Sequence, residues 1–235
     1  VLGRRPALAA LLLAFAAVLA FASPAAARWY GSTMQGTANA TYGCESALIL
    51  GALGGVELAP TSQRSCTYRH GGYLGSLQPT AIVPGSGTIK RIQVKSGPNP
   101  APLRLTVLTG SSRVNTFTGE DLPGTYTCCT ARYVGPVFRP QPNATTTQRV
   151  NVRVQDLRNK EIQIRIHSSD SLALSAVGPG TLPLHLTEAV GSLDPGTPLA
   201  IGFWPQTKVG EPRVDGYTMG GIDLLFRWDF RPGRG

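Results

Sequence analysis

The chain lacks the local motifs by which enzymes are usually recognised. There is no G-x-S-x-G elbow to present a nucleophilic serine, no H-E-x-x-H helix to hold zinc, and no glycine loop ahead of a helix to cradle phosphate. Gly85-Ser86-Gly87 reads instead as a turn leading into a strand. Histidine is scarce, with only His70, His167 and His185, and no C-x-x-C pair exists, which excludes a zinc site with a local ligand signature. Acids are scarce too, thirteen in all. Hydrolysis of a glycan needs two carboxyl groups facing each other across a groove, and among the loop acids Asp170, Asp194, Glu211 and Asp215 nothing singles out a pair. His167-Ser168-Ser169-Asp170 looks like part of a triad but reads as a turn between two strands, where Ser and Asp bond their own backbone. These absences predict a non-catalytic protein with no metal and no cofactor. Structural calcium leaves no sequence signature when loop carbonyls and single acids hold it.

Helical periodicity is also missing. Ala47 to Leu53 is the one stretch that suits a turn or two of helix, and Gly51, Gly54 and Gly55 around it suit a loop or an edge strand equally well. Blocks of basic charge are absent as well. The formal net charge is +9, and losing Arg4 and Arg5 with a leader would leave +7. Arg104, Arg132, Arg149, Arg153 and Arg165 stand singly along apparent strands, which reads as solvated strand faces and argues against nucleic acid as a partner. Weak, salt-dependent attraction to anionic walls or head groups is the expected consequence of the charge.

What is present begins with an export signal. Arg4 and Arg5 precede an apolar run from Ala7 to Ala22, too short for a comfortable membrane span, and Ala25-Ala26-Ala27 supplies a small-residue exit. Residues 1–27 are expected to be removed after Ala27, leaving a secreted chain with no transmembrane segment, and Val1 reads as an alternative bacterial start codon or as a sign of a truncated sequence. Residues 28–235 read as a single all-β domain with little or no helix, in which 28–64 form an arm and entry segment and 65–230 a jelly-roll-like antiparallel β-sandwich. Gly and Pro, 28 and 19 residues, make up about a fifth of the chain and punctuate short apolar runs at sandwich-like intervals.

Several runs alternate cleanly. Leu103, Leu105 and Val107 oppose Arg104 and Thr106; Val150, Val152 and Val154 oppose Asn151 and Arg153; Ile162, Ile164 and Ile166 oppose Gln163 and Arg165. The last two runs, joined by a turn near Asp156 and Asn159, predict an antiparallel hairpin over 148–167. A final strand over 222–230 should bury Leu224, Phe226, Trp228 and Phe230 while turning Asp223, Arg227 and Asp229 outward. The long loop 205–221, with Trp204 at its edge and Tyr217 inside, is the expected binding surface, because loops on a rigid sandwich carry such functions.

Four cysteines in an exported chain predict two disulfides, for which three pairings exist. Neighbours on a strand face opposite ways, so Cys128 and Cys129 do not both reach partners on one side of a sheet. The economical pairing joins Cys44 to Cys66 and leaves Cys128 and Cys129 as a vicinal bridge or as thiols.

The segments Pro102-Leu103-Arg104-Leu105-Thr106-Val107-Leu108, Pro136-Val137-Phe138-Arg139-Pro140, Val150-Asn151-Val152-Arg153-Val154 and Asp170-Ser171-Leu172-Ala173-Leu174 resemble those of an uncharacterised class of exported bacterial β-sandwich proteins. That class looks like jelly-roll modules of the carbohydrate-binding type, and Cys44 with Cys66-Thr67-Tyr68 fits it. The resemblance implies architecture and transfers no binding residue. It makes a polysaccharide or cell-wall polymer the expected partner. A secreted glycan-active hydrolase and a purely structural extracellular protein are the alternatives, and the oligomeric state is open.

Overall fold

A computed structural model describes residues 28–41, 43–44, 46–50, 56–60, 65–73, 83–113, 127–155, 166–187, 198–203, 208–210 and 215–233. The export signal, residues 1–27, lies outside them. The described residues are all-β, with antiparallel pairing between strands and no helix. In particular, no helix among them is long and apolar enough to cross a membrane.

In chain order the strands are β1 Arg28–Gly31, β2 Ser46–Leu50, β3 Val56–Pro60, β4 Cys66–Tyr73, β5 Gly87–Lys95, β6 Leu103–Arg113 and β7 Thr127–Val134. They continue with β8 Thr145–Val154, β9 Ile166–Ala176, β10 Leu184–Leu186, β11 Pro198–Phe203, β12 Asp215–Gly220, β13 Ile222–Leu224 and β14 Phe226–Pro232. Two sheets carry the sandwich. The smaller runs β1-β14-β5-β8 and the larger β12-β11-β4-β9-β6-β7, while β10-β13 and β2-β3 are separate two-stranded pieces. The stretch read as helix or edge strand is thus β2, one arm of a hairpin with β3.

The core lies between the two sheets. From the smaller one come Ile89, Ile92, Val94, Val152, Val154, Phe226, Trp228 and Phe230, and from the larger Tyr68, Leu103, Leu105, Val107, Leu172 and Leu174, all within one buried cluster. Alternation makes this possible, since every second residue of each strand points the same way. Burying each of these aliphatic or aromatic side chains contributes about 1.5–3 kcal/mol. Tyr30 of β1 meets Phe230 edge-on at 5.9 Å between ring centroids. Gly31 closes that edge at φ +102°, and a Cβ there would lie 2.5 Å from the Phe226 carbonyl oxygen, so only glycine fits.

Two corrections to the sequence reading follow. The turn and most of the second arm of the expected hairpin over 148–167 lie outside the described residues; of the described ones, β8 pairs with β5 in the smaller sheet, whereas β9, from Ile166 on, pairs with β6 and β4 in the larger. Val152 and Leu172 do share one core, but from opposite sides of it; Ile162 and Ile164 fall outside the described residues. The single last strand is two, because the chain changes partners at Leu225: β13 pairs with β10, and β14 lies between β1 and β5. Finally, Asp170 is no turn residue. It sits within β9 at 1% exposure, where Arg132 Nη2 and Nε, Thr109 Oγ1 and the Gln155 amide all donate to its carboxylate.

The Pro- and Gly-rich loops 97–102, 135–143 and 178–183 do cluster. The Asn143 amide donates to the Gly97 carbonyl at 2.9 Å, the Ala101 amide to Thr181 at 3.0 Å and the Thr181 amide to Asn99 at 2.6 Å. At the other end of the polypeptide, Cys44 and Cys66 form a disulfide that fastens the lead-in segment to the first residue of β4.

Candidate functional site

The outward face of the smaller sheet gathers Arg149 and Arg153, two of the arginines that look scattered in the sequence, with further cations from β5 and β14; Arg104 and Arg132 lie on β6 and β7 of the larger sheet, and Arg165 lies outside the described residues. Register places Arg227 opposite Gln93, Asp229 opposite Arg91 and Arg231 opposite Thr88, and on the other side of β5 sets Arg91 opposite Arg149 and Thr88 opposite Arg153. Their inward neighbours are core residues, so these side chains point away from it. Lys90, Arg91 and Lys95 thus come from β5, Arg149 and Arg153 from β8, and Arg227 and Arg231 from β14. The one carboxylate among them, Asp229, is fully buried.

Asp229 is covered from above. Arg91 holds its Oδ2 through Nε at 2.8 Å and Nη2 at 2.7 Å. Trp29, opposite Asp229 on β1, lies under two guanidinium groups, with Arg91 Cζ 5.4 Å and Arg227 Cζ 4.8 Å from the ring centroid. Indole quadrupole and cation attract each other in this arrangement. Arg227 Nε donates to Gln93 Oε1 at 2.8 Å, and Gln93 Nε2 donates to Thr147 Oγ1 at 3.0 Å, so one chain of hydrogen bonds crosses three strands. The arginines are held in place by these partners.

The register slips between Ile89 and Arg91 against β8 and between Asp229 and Phe230 against β14, so both irregularities meet at Lys90. A bulge of this kind re-aims side chains. Here Lys90 Nζ donates to Asn151 Oδ1 at 2.6 Å, and an open groove of about 360 Å³ is lined by Lys90, Arg91, Arg149, Val150, Asn151 and Arg231. The surface offers hydrogen-bond donors and positive charge, which suits anions.

Two buried polar clusters bring together residue types found in catalytic sites, but in a different order. Ser32 Oγ donates to Asp223 Oδ2 at 2.7 Å, and His70 Nδ1 lies 3.9 Å from Asp223 Oδ1. The aspartate stands between serine and histidine, the reverse of the order in which histidine takes the serine proton. His70 Nε2 is 2.8 Å from the Phe226 carbonyl, which only accepts, so that nitrogen carries the proton. Burial pushes the His70 pKa down, against the smaller upward pull of that hydrogen bond and of the Asp223 charge. Ser32, Asp223 and His70 are all buried and tie the arm to β13 and β4. Asp170 likewise spends its carboxylate on Arg132, Thr109 and Gln155.

Of the residues singled out from sequence, Trp204 lies outside the described residues. Tyr217 falls on β12 rather than in a loop, its backbone opposite Gly202 of β11, as does Asp215 opposite Phe203. The fold therefore shortens the expected loop from its C-terminal side. Cys44 and Cys66 are paired, Cys129 is disulfide-bonded, and Cys128 precedes it on β7. No group of three or more metal-ligating side chains occurs among the described residues. What the sequence reading missed is the basic face, although the signal is there: Arg91 and Lys95, Arg149 and Arg153, and Arg227 and Arg231 each stand four apart, and on a strand that spacing puts both on one side.

The described residues thus form an all-β module with antiparallel sheets. No protein-family model matches the chain, and neither a curated protein nor a solved structure matches it.

Proposed function

We propose that the chain is an exported, non-catalytic β-sandwich that attaches to an anionic polymer of the cell envelope, with the basic outer face of the smaller sheet as its contact surface. One observation carries the reading: the cations of β5, β8 and β14 share a solvent-facing surface on which, among the described residues, the one carboxylate, Asp229, is buried beneath Arg91. A flat sheet with an open groove suits a long chain better than an enclosed metabolite. Export rests on the leader pattern of residues 1–27, with the cut after Ala27 placing Arg28, the first residue of β1, at the new terminus. The segment bearing Trp204 and Tyr217 is retained as a second contact, one that would bring sugar-stacking aromatics to a polymer already held by charge.

The reading is tested by retention of the purified protein on isolated cell walls, before and after their anionic polymers are stripped, at low and high salt. Retention that disappears on stripping and weakens with salt supports it. Equal retention on stripped walls and on uncharged insoluble polysaccharide would contradict it and shift attention to Trp204 and Tyr217.

A further inference from the structure

We infer that the groove around Arg91 and Arg149 is a subsite for a phosphodiester group of such a polymer; this rests on the basic face being the contact surface. The first reason is a repulsion built into the sheet. Arg91 and Arg149 stand directly opposite each other on adjacent strands, an arrangement that destabilises a sheet when the charges are alike. Asp229 offsets the charge of Arg91, but it does so from beneath, and among the described residues no carboxylate pairs with Arg149. An anion lying between the two guanidinium groups would relieve the pair.

The second reason is pre-organisation. Arg91 meets Asp229 through Nε and Nη2, so the fork is fixed by one edge and its Nη1 side is left for a ligand. Fixing a donor in advance lowers the entropy lost on binding. The third reason is the direction of approach. Lys90 and Arg91 enter the groove from β5, Arg149 from β8 and Arg231 from β14, so donors arrive from three strands around one opening. A tetrahedral phosphate accepts from several directions, whereas a planar carboxylate favours a single in-plane fork. Trp29, already engaged by Arg91 and Arg227, reinforces the arginines instead of offering a bare ring to sugar. Charge and phosphate geometry, rather than stacking, therefore select the ligand on this face.

Binding of the full disulfide-bonded protein to poly(glycerol phosphate) is to be compared with polygalacturonate of matched charge density and with duplex DNA. The variants are Arg149→Gln, at an exposed site, and Arg139→Gln, which removes the same charge from an exposed loop elsewhere. The expected result is a preference for poly(glycerol phosphate) of about tenfold, lost in Arg149→Gln and unchanged within about twofold in Arg139→Gln, as for loss of one charge-assisted hydrogen bond. Because Arg149→Gln relieves the opposed pair, its melting temperature should be unchanged or about 1–3 °C higher. A lower melting temperature would overturn the repulsion argument. Equal affinity for poly(glycerol phosphate) and polygalacturonate, each weakened by Arg149→Gln, would overturn the phosphate assignment and leave the contact surface standing. Tighter binding of DNA would overturn the assignment to an envelope polymer, and equal losses in both variants, or no binding at all, would overturn the contact surface as well.

Discussion

The two sheets of the sandwich share one core but differ on their outward faces. On the smaller sheet, Thr145, Thr147, Arg149, Asn151 and Arg153 of β8 alternate with inward residues and are exposed, and Arg91 and Arg231 are exposed beside them. On the larger sheet, Thr67, Arg69, Thr106, Ala173 and Ser175 occupy outward positions and are buried, and Arg104 beside them is half-buried. There Ser175 Oγ bonds both Thr67 Oγ1, at 2.7 Å, and Thr106 Oγ1, at 2.8 Å, while Leu108, Cys129, Ala131 and Ala173 form a second small core. The Gly210 amide, from the segment between β11 and β12, donates to the Ala131 carbonyl of β7. Small hydroxyls that satisfy each other can be covered. One sheet is thus committed to structure on both faces, and the other keeps a face for solvent and ligand.

The sharpest way to break the contrast is to put on the larger sheet what the smaller one displays. Ser175→Arg should prevent folding or cost more than about 4 kcal/mol, since it overpacks the site and buries an unpaired charge; a urea unfolding curve reads this directly. Opening the staple comes next. Replacing Cys44 and Cys66 together by serine frees a loop with a sequence separation of 22 and should cost about 3 kcal/mol, seen as a lower urea midpoint.

A smaller effect concerns pH. Because the folded His70 pKa is lowered, the unfolded chain takes up a proton near pH ~6.5 while the folded chain resists it. Stability is therefore full above that pH and falls as pH drops through it, by about 1 kcal/mol per unit until the folded group also titrates. His70→Gln should flatten that part of the profile of urea midpoint against pH. The smallest effect belongs to the wet face: Arg153→Gln should change stability by no more than about 0.5 kcal/mol, measured in the same way. A loss several times larger would mean that this face, too, is part of the scaffold.

How much of this was legible in the sequence differs between strands and their assembly. Period-2 alternation located β6, β8 and β14 and identified Val152, Leu105, Phe226 and Trp228 as core. It did not say which sheet a strand joins, because strands on either side of a core show the same pattern. Thus Ile166 and His167, read as part of a hairpin with β8, pair with β6 in the other sheet. Asp170 was misread for a related reason: Ser168-Ser169-Asp170 has turn-forming side chains, and the Arg132 that makes burial of the carboxylate tolerable comes from another strand. Asp229 is the same case, expected at the surface and buried by Arg91. The basic face was hidden because its members lie on β5, β8 and β14, and only pairing turns three separate four-residue spacings into one surface. The cysteines were the most transparent feature, since Cys44–Cys66 is the pair that the economical reading selected.

The central claim is that the outward face of the smaller sheet meets the ligand. Covalent footprinting of lysine and arginine side chains, read by mass spectrometry with the protein free and bound to cell walls, tests it most directly. The account predicts protection of Lys90, Arg149, Arg153 and Arg231 on binding, with Arg139 unchanged. Unchanged labelling at those four positions in protein that is demonstrably wall-bound would contradict it.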